Sequence, residues 1–201
     1  VPAGGTIDDA VRRMCAGDGD AFREVYRSTQ PALLRYLTVL VGTADAEDVA
    51  SETWAQACRD LGRFSGDADG FRGWVTTIGR HRALDLLRQR SRRVRVDRDL
   101  TDIEVADPRD LEATVEEAFG TAGAVALIGS LPRQQAEAVW LRVVMGLDAK
   151  TAASVMGTRP GAVRSSTSRG LKTLARLLES RTGSTTAQRD IRVASGAEGV
   201  R

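Results

Sequence analysis

The sequence predicts an all-α protein: two small helical domains joined by a flexible acidic linker. Apolar residues recur at helical spacing in two separate stretches, and no strand alternation is sustained. A polar segment containing Pro108 and many acids separates those stretches. A chain of 201 residues is long enough for two small cores. The expected divisions are a first domain over 7–93, a linker over 94–113, a second domain over 114–179 and a disordered polar tail over 180–201.

Residues 1–6 read as a disordered lead-in. Asp8 or Asp9 is positioned to cap a short helix that runs through Val11 and Met14 to Cys15. After the turn Ala16-Gly17-Asp18-Gly19-Asp20, a second helix carries Phe22, Val25, Tyr26, Leu33, Leu34, Tyr36, Leu37 and Leu40. Pro31 marks a kink or a new start within it. Residues 44–61 form a third helix whose acids cluster early (Asp45, Glu47, Asp48, Glu52), as the helix dipole favours. A loop with two glycines follows over 63–70.

The helix expected over 71–93 has two faces. Phe71, Trp74, Val75, Ile78, Leu84 and Leu87 recur near helical spacing. Arginines fill most of the remainder: residues 71–98 hold nine Arg against Asp85 and Asp97, a net of +7. Such a helix suits a phosphate backbone. The bland alternative is a solvated surface helix. Phe64, Phe71, Trp74 and His81 beside the arginines fit single-stranded or partly opened nucleic acid, where bases stack on rings. Trp74 reads as core in preference to a stacking platform. The linker is opposite in sign: residues 99–117 hold eight acids against Arg109, a net of −7, which the chain total of +2 conceals. A short acidic helix over 111–119 is compatible with its end.

The second apolar region begins near Thr114, and its first helix ends near Gly129-Ser130. Leu131-Pro132 opens the next, with Ala136, Val139, Trp140 and Val143 on one face. Asp148 caps a short helix over 149–156, which Gly157 ends. Pro160 sits at the first position of the last helix, with Val163, Thr167, Leu171, Leu174 and Leu178 along its buried stripe. A helix, a glycine-containing turn and a helix with basic residues near its start make a helix-turn-helix pattern.

Composition excludes other classes. The chain has one His and two Cys, no metal-ligand spacing, no glycine-rich phosphate loop and no nucleophile–base pattern. No enzyme activity, metal or cofactor is therefore expected. His81 and Asp85, four apart, could pair structurally. Cys15 and Cys58 read as buried or partly buried thiols in a reducing cytosol. No apolar run approaches the ~20 residues of a membrane span, and no signal peptide is visible.

Both halves resemble bacterial sigma factors of the extracytoplasmic-function (ECF) type. Asp45-Ala46-Glu47-Asp48-Val49 through Glu52-Thr53 to Leu61-Gly62-Arg63-Phe64 is similar to the family's region 2.2. Phe71-Arg72-Gly73-Trp74 and the run from Ile78 to Arg88 resemble regions 2.3 and 2.4. Ser130-Leu131-Pro132-Arg133-Gln134-Gln135, Leu141-Arg142, Gly146-Leu147, Gly157 and Gly161-Ala162-Val163-Arg164-Ser165 resemble region 4. Ser166-Thr167-Ser168 stand where the family usually continues Arg-Leu-His, so Ser166 replaces a DNA-contacting Arg and Thr167 brings a hydroxyl that needs a partner.

The resemblance implies a cytoplasmic, nucleoid-associated factor. It would bind the beta and beta-prime subunits of core RNA polymerase and direct them to promoter DNA. The first domain would read and open the −10 element, and the second would read the −35 duplex. It also implies an anti-sigma factor as partner. Asp45, Glu47, Asp48, Glu52 and Gln56 would dock on polymerase. Arg63, Phe64, Ser65, Phe71, Arg72, Arg80, His81, Arg82, Arg88 and Arg92 would serve the −10 element, the loop with Phe71 and His81 capturing a flipped base. His81 takes either that contact, a phosphate contact or a packed structural role. Arg159, Arg164, Ser165, Ser168, Arg169 and Lys172 would serve the −35 element, with earlier residues on bases and later ones on phosphates. Two alternatives stay open: a helix-turn-helix regulator that never joins polymerase, and a protein that acts only by being bound.

Overall fold

The computed structural model describes residues 6–98 and 121–195, with side chains over 6–92 and 123–180. Residues 1–5, most of the linker, the helix expected over 111–119 and the last six residues lie outside the described residues. Among the described residues there are eight α-helices and no strand.

Helix α1 (Ile7–Cys15) is capped by Thr6, two positions before Asp8 and three before Asp9, the expected caps. The Asp9 N–H donates to Thr6 Oγ1 and the Thr6 N–H donates to Asp9 Oδ2 (3.0 Å), a reciprocal capping box. The Thr6 N–H, then its hydroxyl, hold the Asp9 carboxyl below its ordinary value. Asp8 has a longer reach: its Oδ1 accepts the Ala68 N–H at 2.8 Å, tying α1 to the head of α4. Helix α2 (Gly19–Val41) is capped by Asp18 and runs unbroken through Pro31, whose ring is exposed to solvent. Helix α3 (Thr43–Asp60) and a 3-10 turn (Leu61–Arg63) lead to α4 (Ala68–Arg98). Residues 94–98 thus belong to a helix that continues past the expected linker boundary.

The C-terminal unit comprises α5 (Thr121–Gly129), α6 (Arg133–Val139) continued by a π turn (Trp140–Val144), α7 (Ala149–Met156) and α8 (Pro160–Ser195). The Met145 N–H donates to Trp140 O at 3.0 Å, the wide turn that ends the π segment. Val143 is 55% exposed, so the face expected to carry it inward stops at Trp140. Helix α8 runs on to Ser195, through much of the stretch expected as a disordered tail. Its polar composition hid that, yet Pro160 is the last proline, so every later N–H can donate within the helix.

Helices α2, α3 and α4 pack as a bundle, with α1 lying across α2 and α4. Met14, Leu33, Tyr36, Leu37, Phe71 and Val75 fill it. In the C-terminal unit α6, α7 and α8 pack around Trp140, Leu141, Leu147 and Val163. Gly170 on α8 admits the close crossing of α6: a Cβ there would stand 2.6 Å from Val139 Cγ2. The two units touch directly, α5 and α6 on α2 and α7 on α4.

Both cysteines are exposed, against expectation. The buried stripe of α3 runs Ala46, Val49, Ala50, Thr53, Trp54 and Ala57, and Cys58 falls just outside it. Cys15 is the last residue of α1 and is exposed there, although it stands four residues from the buried Val11. Among the described residues no helix is long and apolar enough to cross a membrane, and no group of His, Cys, Asp or Glu is placed to hold a metal.

Candidate polymerase and nucleic-acid interfaces

The acidic face of α3 and the basic face of α4 meet along an antiparallel crossing, so charges that the sequence separates are cross-paired. Asp45 accepts from Arg90 at 2.5 Å. Seven residues along α3, Glu52 lies 3.5 Å from Arg82. Arg82 also donates to Gln56 Oε1 from Nε (3.0 Å) and Nη2 (2.8 Å). Of the five candidate docking residues, Glu47 and Asp48 are exposed with no α4 partner among the described contacts. Asp45, Glu52 and Gln56 face the arginines.

The −10 candidates divide by burial. Arg63 and Ser65 are exposed on the loop. Phe64 is half-buried, its ring edge-on to Phe71 (5.4 Å) and tilted on Trp74 (5.2 Å). Phe71 is core, 1% exposed, with Trp54 on its far side. Its ring is thus not presented to solvent, unlike the other loop candidates, and it backs Phe64 from inside the bundle. Trp74 is half-buried in the same cluster, as its apolar spacing predicts. Arg72 pairs with Asp69 one turn back, its Nε buried without a partner.

Arg80 stands apart from the exposed candidates. Its side chain is 17% exposed and points away from solvent, donating from Nε to Glu137 Oε2 at 2.9 Å. His81, Arg88 and Arg92 are exposed. Asp85 pairs with Arg88 at 2.8 Å, so the expected His81–Asp85 pairing gives way to the arginine.

The C-terminal unit presents a cleaner surface. Asp148 caps α7, its Oδ1 accepting the Thr151 N–H at 2.7 Å. Gly157 ends α7 at φ 63°, the left-handed conformation that glycine adopts without penalty. Pro160 then starts α8. Arg164, Ser165, Ser168, Arg169 and Lys172 share one exposed face of α8, with Arg159 exposed just before it. The opposite face buries Val163, Ser166 and Gly170. Ser166, 6% exposed, is thus turned inward and is no vacancy in the DNA-facing set. Thr167 finds its partners: the hydroxyl lies 2.9 Å from Val163 O and 3.3 Å from Ala138 O. Leu171 and Leu178, expected in the stripe, are 43% and 40% exposed: they lie seven and fourteen residues from Arg164, on the edge of its face, and away from the face of Val163 and Gly170 that packs on α6.

The Thr151 hydroxyl, then its N–H, hold the Asp148 carboxyl below the ordinary 3.8. A carboxyl lowered by folding contributes fully above that value and loses its contribution as pH falls through the lowered one. Acidification from roughly pH 5 to 2 is therefore expected to weaken the α7 cap. An Asp148→Asn variant, whose amide oxygen still caps, would show a shallower acid loss of helix by circular dichroism at α7 and α8. Equal acid sensitivity would refute the assignment.

Sequence reasoning missed Glu137, buried at 2% exposure in the middle of α6. It also missed Gly73, where a Cβ would stand 2.5 Å from Thr151 Cγ2. A lone Glu among Ala136, Ala138 and Val139 was the available signal for the first. A glycine inside an apolar helical stretch was the signal for the second.

An acid-and-arginine crossing in one unit and an open helix-turn-helix in the other define an all-α protein of two modules. The sigma-70 region 2 family model matches residues 25–93, and the sigma-70 region 4 model matches 124–174. The chain is 32% identical to the ECF RNA polymerase sigma factor SigD of Mycobacterium tuberculosis, over 85% of this chain and 83% of that one. It is 34% identical to the ECF RNA polymerase sigma factor BldN of Streptomyces coelicolor over 85% of this chain, and the match spans 65% of BldN. Two solved structures share the fold. They are the sigma factor RpoE with the anti-sigma factor NepR from Bartonella quintana (TM-score 0.61, 21% identity, 79% of this chain and 96% of that one) and CnrH with the cytosolic domain of CnrY (TM-score 0.58, 23% identity, 87% and 99%). The chain belongs to the ECF sigma factors of the sigma-70 family. Members of that family are non-enzymatic transcription initiation factors.

Proposed function

We propose that this chain is an alternative sigma factor that binds core RNA polymerase, reads the −10 element with residues 7–93 and reads the −35 element with residues 114–179. The observation that supports it most is the open basic face of α8, where Arg164, Ser165, Ser168, Arg169 and Lys172 stand together on a capped helix-turn-helix. Residues near the start of such a helix reach base edges and later ones reach phosphates. In the N-terminal bundle, Arg63, Ser65, His81, Arg88 and Arg92 are the exposed candidates for −10 DNA. Phe64 is their stacking surface and Phe71 their support. An anti-sigma factor is the proposed protein partner, in line with the complexes of the two structural neighbours. The factor is proposed to work on the nucleoid in the cytoplasm. A helix-turn-helix regulator that never joins polymerase would leave the exposed acids of α3 without a role.

The test is co-elution with bacterial core polymerase, followed by run-off transcription from a promoter-fragment library. Core binding with promoter-dependent transcripts is expected. Duplex binding without core binding would overturn the reading. Exchanging both exposed acids, Glu47→Lys with Asp48→Lys, is expected to weaken core binding several-fold, more at low salt than at high. Unchanged affinity would remove α3 from the docking surface.

A further inference from the structure

The head of α4 does not close completely against α1 and α2. A cavity of about 170 Å³, partly open to solvent, remains between the three helices. Its walls are apolar: Ile7 and Val11 of α1, Val25 of α2, and Ala68 and Phe71 of α4. All but Ile7 belong to the buried core. An apolar cavity of about 150 Å³ stays dry and takes up benzene. The space beneath α1 therefore has room for a six-membered ring.

Ser28 and Arg72 give the cavity a polar side. The Ser28 hydroxyl is engaged, donating to Val25 O at 2.9 Å. Arg72 is engaged only in part. Its Nη2 pairs with Asp69, while its Nε is buried with no hydrogen-bond partner. A buried donor left unmade is costly, and most such groups in folded proteins find an acceptor. One water would answer the donor, yet a water needs two to four polar partners, and these walls are apolar.

Charge decides the kind of acceptor. Asp69 already balances the Arg72 guanidinium. Asp8 reaches across from α1 to accept the Ala68 N–H at 2.8 Å, and Asp67 accepts the Gly70 N–H at 2.7 Å. Three carboxylates thus stand at the head of α4 beside one guanidinium. An anion entering there would give up its water and gain no unbalanced cation in return. A carbonyl oxygen on an apolar ring meets both demands: it accepts without bringing a charge, and its body fills the walls.

We propose that this cavity is a binding site for a small uncharged molecule, a ring of benzene size bearing one carbonyl, whose oxygen accepts from Arg72 Nε while the ring packs on Val11, Val25 and Phe71. Phe71 also backs Phe64 at a centroid distance of 5.4 Å, so the occupant lies one side chain behind the loop over 63–67. The site stands independently of the sigma-factor reading.

The test uses the full chain and three molecules of similar size. Acetophenone has the ring and the carbonyl, ethylbenzene the ring alone, and benzoate the ring and a charge. In titrations followed by proton–nitrogen NMR, acetophenone is expected to shift the amides of Val11, Val25, Ala68, Phe71 and Arg72 and to leave the C-terminal unit unmoved. Its dissociation constant is expected at roughly 0.1–1 mM, within the bound for about nine heavy atoms. Ethylbenzene should bind about tenfold more weakly, the worth of one hydrogen bond to a charged donor, and benzoate more weakly than acetophenone. Arg72→Met keeps the length of the side chain and removes the donor. It should bring acetophenone down to the affinity of ethylbenzene and leave ethylbenzene unchanged. Ala68→Leu fills the cavity from α4 and should abolish the acetophenone shifts; the three titrations of the unsubstituted chain decide the matter should that variant fail to fold. Shifts absent from these amides, or spread evenly over the chain, would overturn the site. Equal affinity for acetophenone and ethylbenzene, or an Arg72→Met protein that still prefers acetophenone, would overturn the carbonyl contact. Benzoate binding tightest would overturn the uncharged class of ligand.

Discussion

Phe71→Ala is expected to destabilise the N-terminal bundle sharply, an effect larger than any direct one on promoter opening. The ring is 1% exposed and lies where α2, α3 and α4 converge. Its neighbours are Phe64 (5.4 Å), Trp74 (5.7 Å) and Trp54 (6.3 Å), at angles from tilted to edge-on. Truncating a buried Phe typically costs about 3–5 kcal/mol, part lost transfer and part cavity. Set against a domain stability of roughly 5–15 kcal/mol, that is a large fraction. The check is urea denaturation followed by circular dichroism, where the midpoint should fall sharply. Phe64→Ala is the informative partner. Its ring is half-buried and its loss should cost less in stability, while removing the proposed stacking surface. A Phe71→Ala protein with an unchanged midpoint but defective promoter opening would show that the ring touches DNA after all.

On α8 the largest functional effect is expected at Arg164, in the second turn of the helix. A well-placed Arg–guanine contact is worth about 1–3 kcal/mol of discrimination. Arg164→Ala should therefore weaken −35 duplex binding by roughly 5- to 150-fold and flatten preference at one base position. Lys172, two turns further on, is expected to hold a phosphate. Lys172→Ala should weaken all sequences alike and reduce the slope of log affinity against log salt by about one. The measurement is a titration of each variant against a base-substituted duplex series at two or more salt concentrations. Uniform loss at Arg164, with no position relaxed, would move that side chain from base to backbone.

What the sequence made legible was local. Asp148, Gly157 and Pro160 mark the helix-turn-helix because capping, left-handed backbone and a missing N–H are properties of single residues. The periodicity of α2 to α4 marked the core because apolar spacing reports one face of one helix at a time. The sense of each charge was harder. Arg80 and Arg88 look alike in the chain, yet one is buried against a carboxylate 57 residues away and the other pairs within its own helix at the surface. Long-range partnership leaves no trace in spacing. Cys15 and Cys58 were misread for a related reason: cysteine is often buried, and a type preference is weaker than the position in the helix at which a residue falls. The extent of α8 was hidden by Gly183, Ser184, Thr185 and Thr186, poor helix formers whose small penalties leave the helix unbroken to Ser195.

The crossing of α3 and α4 carries a thermodynamic corollary. Arg82 divides its donors between Gln56 and Glu52, and Arg90 is engaged by Asp45. Whatever binds those α3 groups must bid against guanidinium groups already in place, and whatever binds the guanidinium groups must bid against α3. Two ligands, one on each helix, each release what the other needs, so each raises the other's affinity by the same factor. Pairs as open as these are worth about 0.2–1 kcal/mol apiece, so the reciprocal factor is a few-fold. That is too little to switch the protein on by itself and enough to tilt which of two encounters comes first.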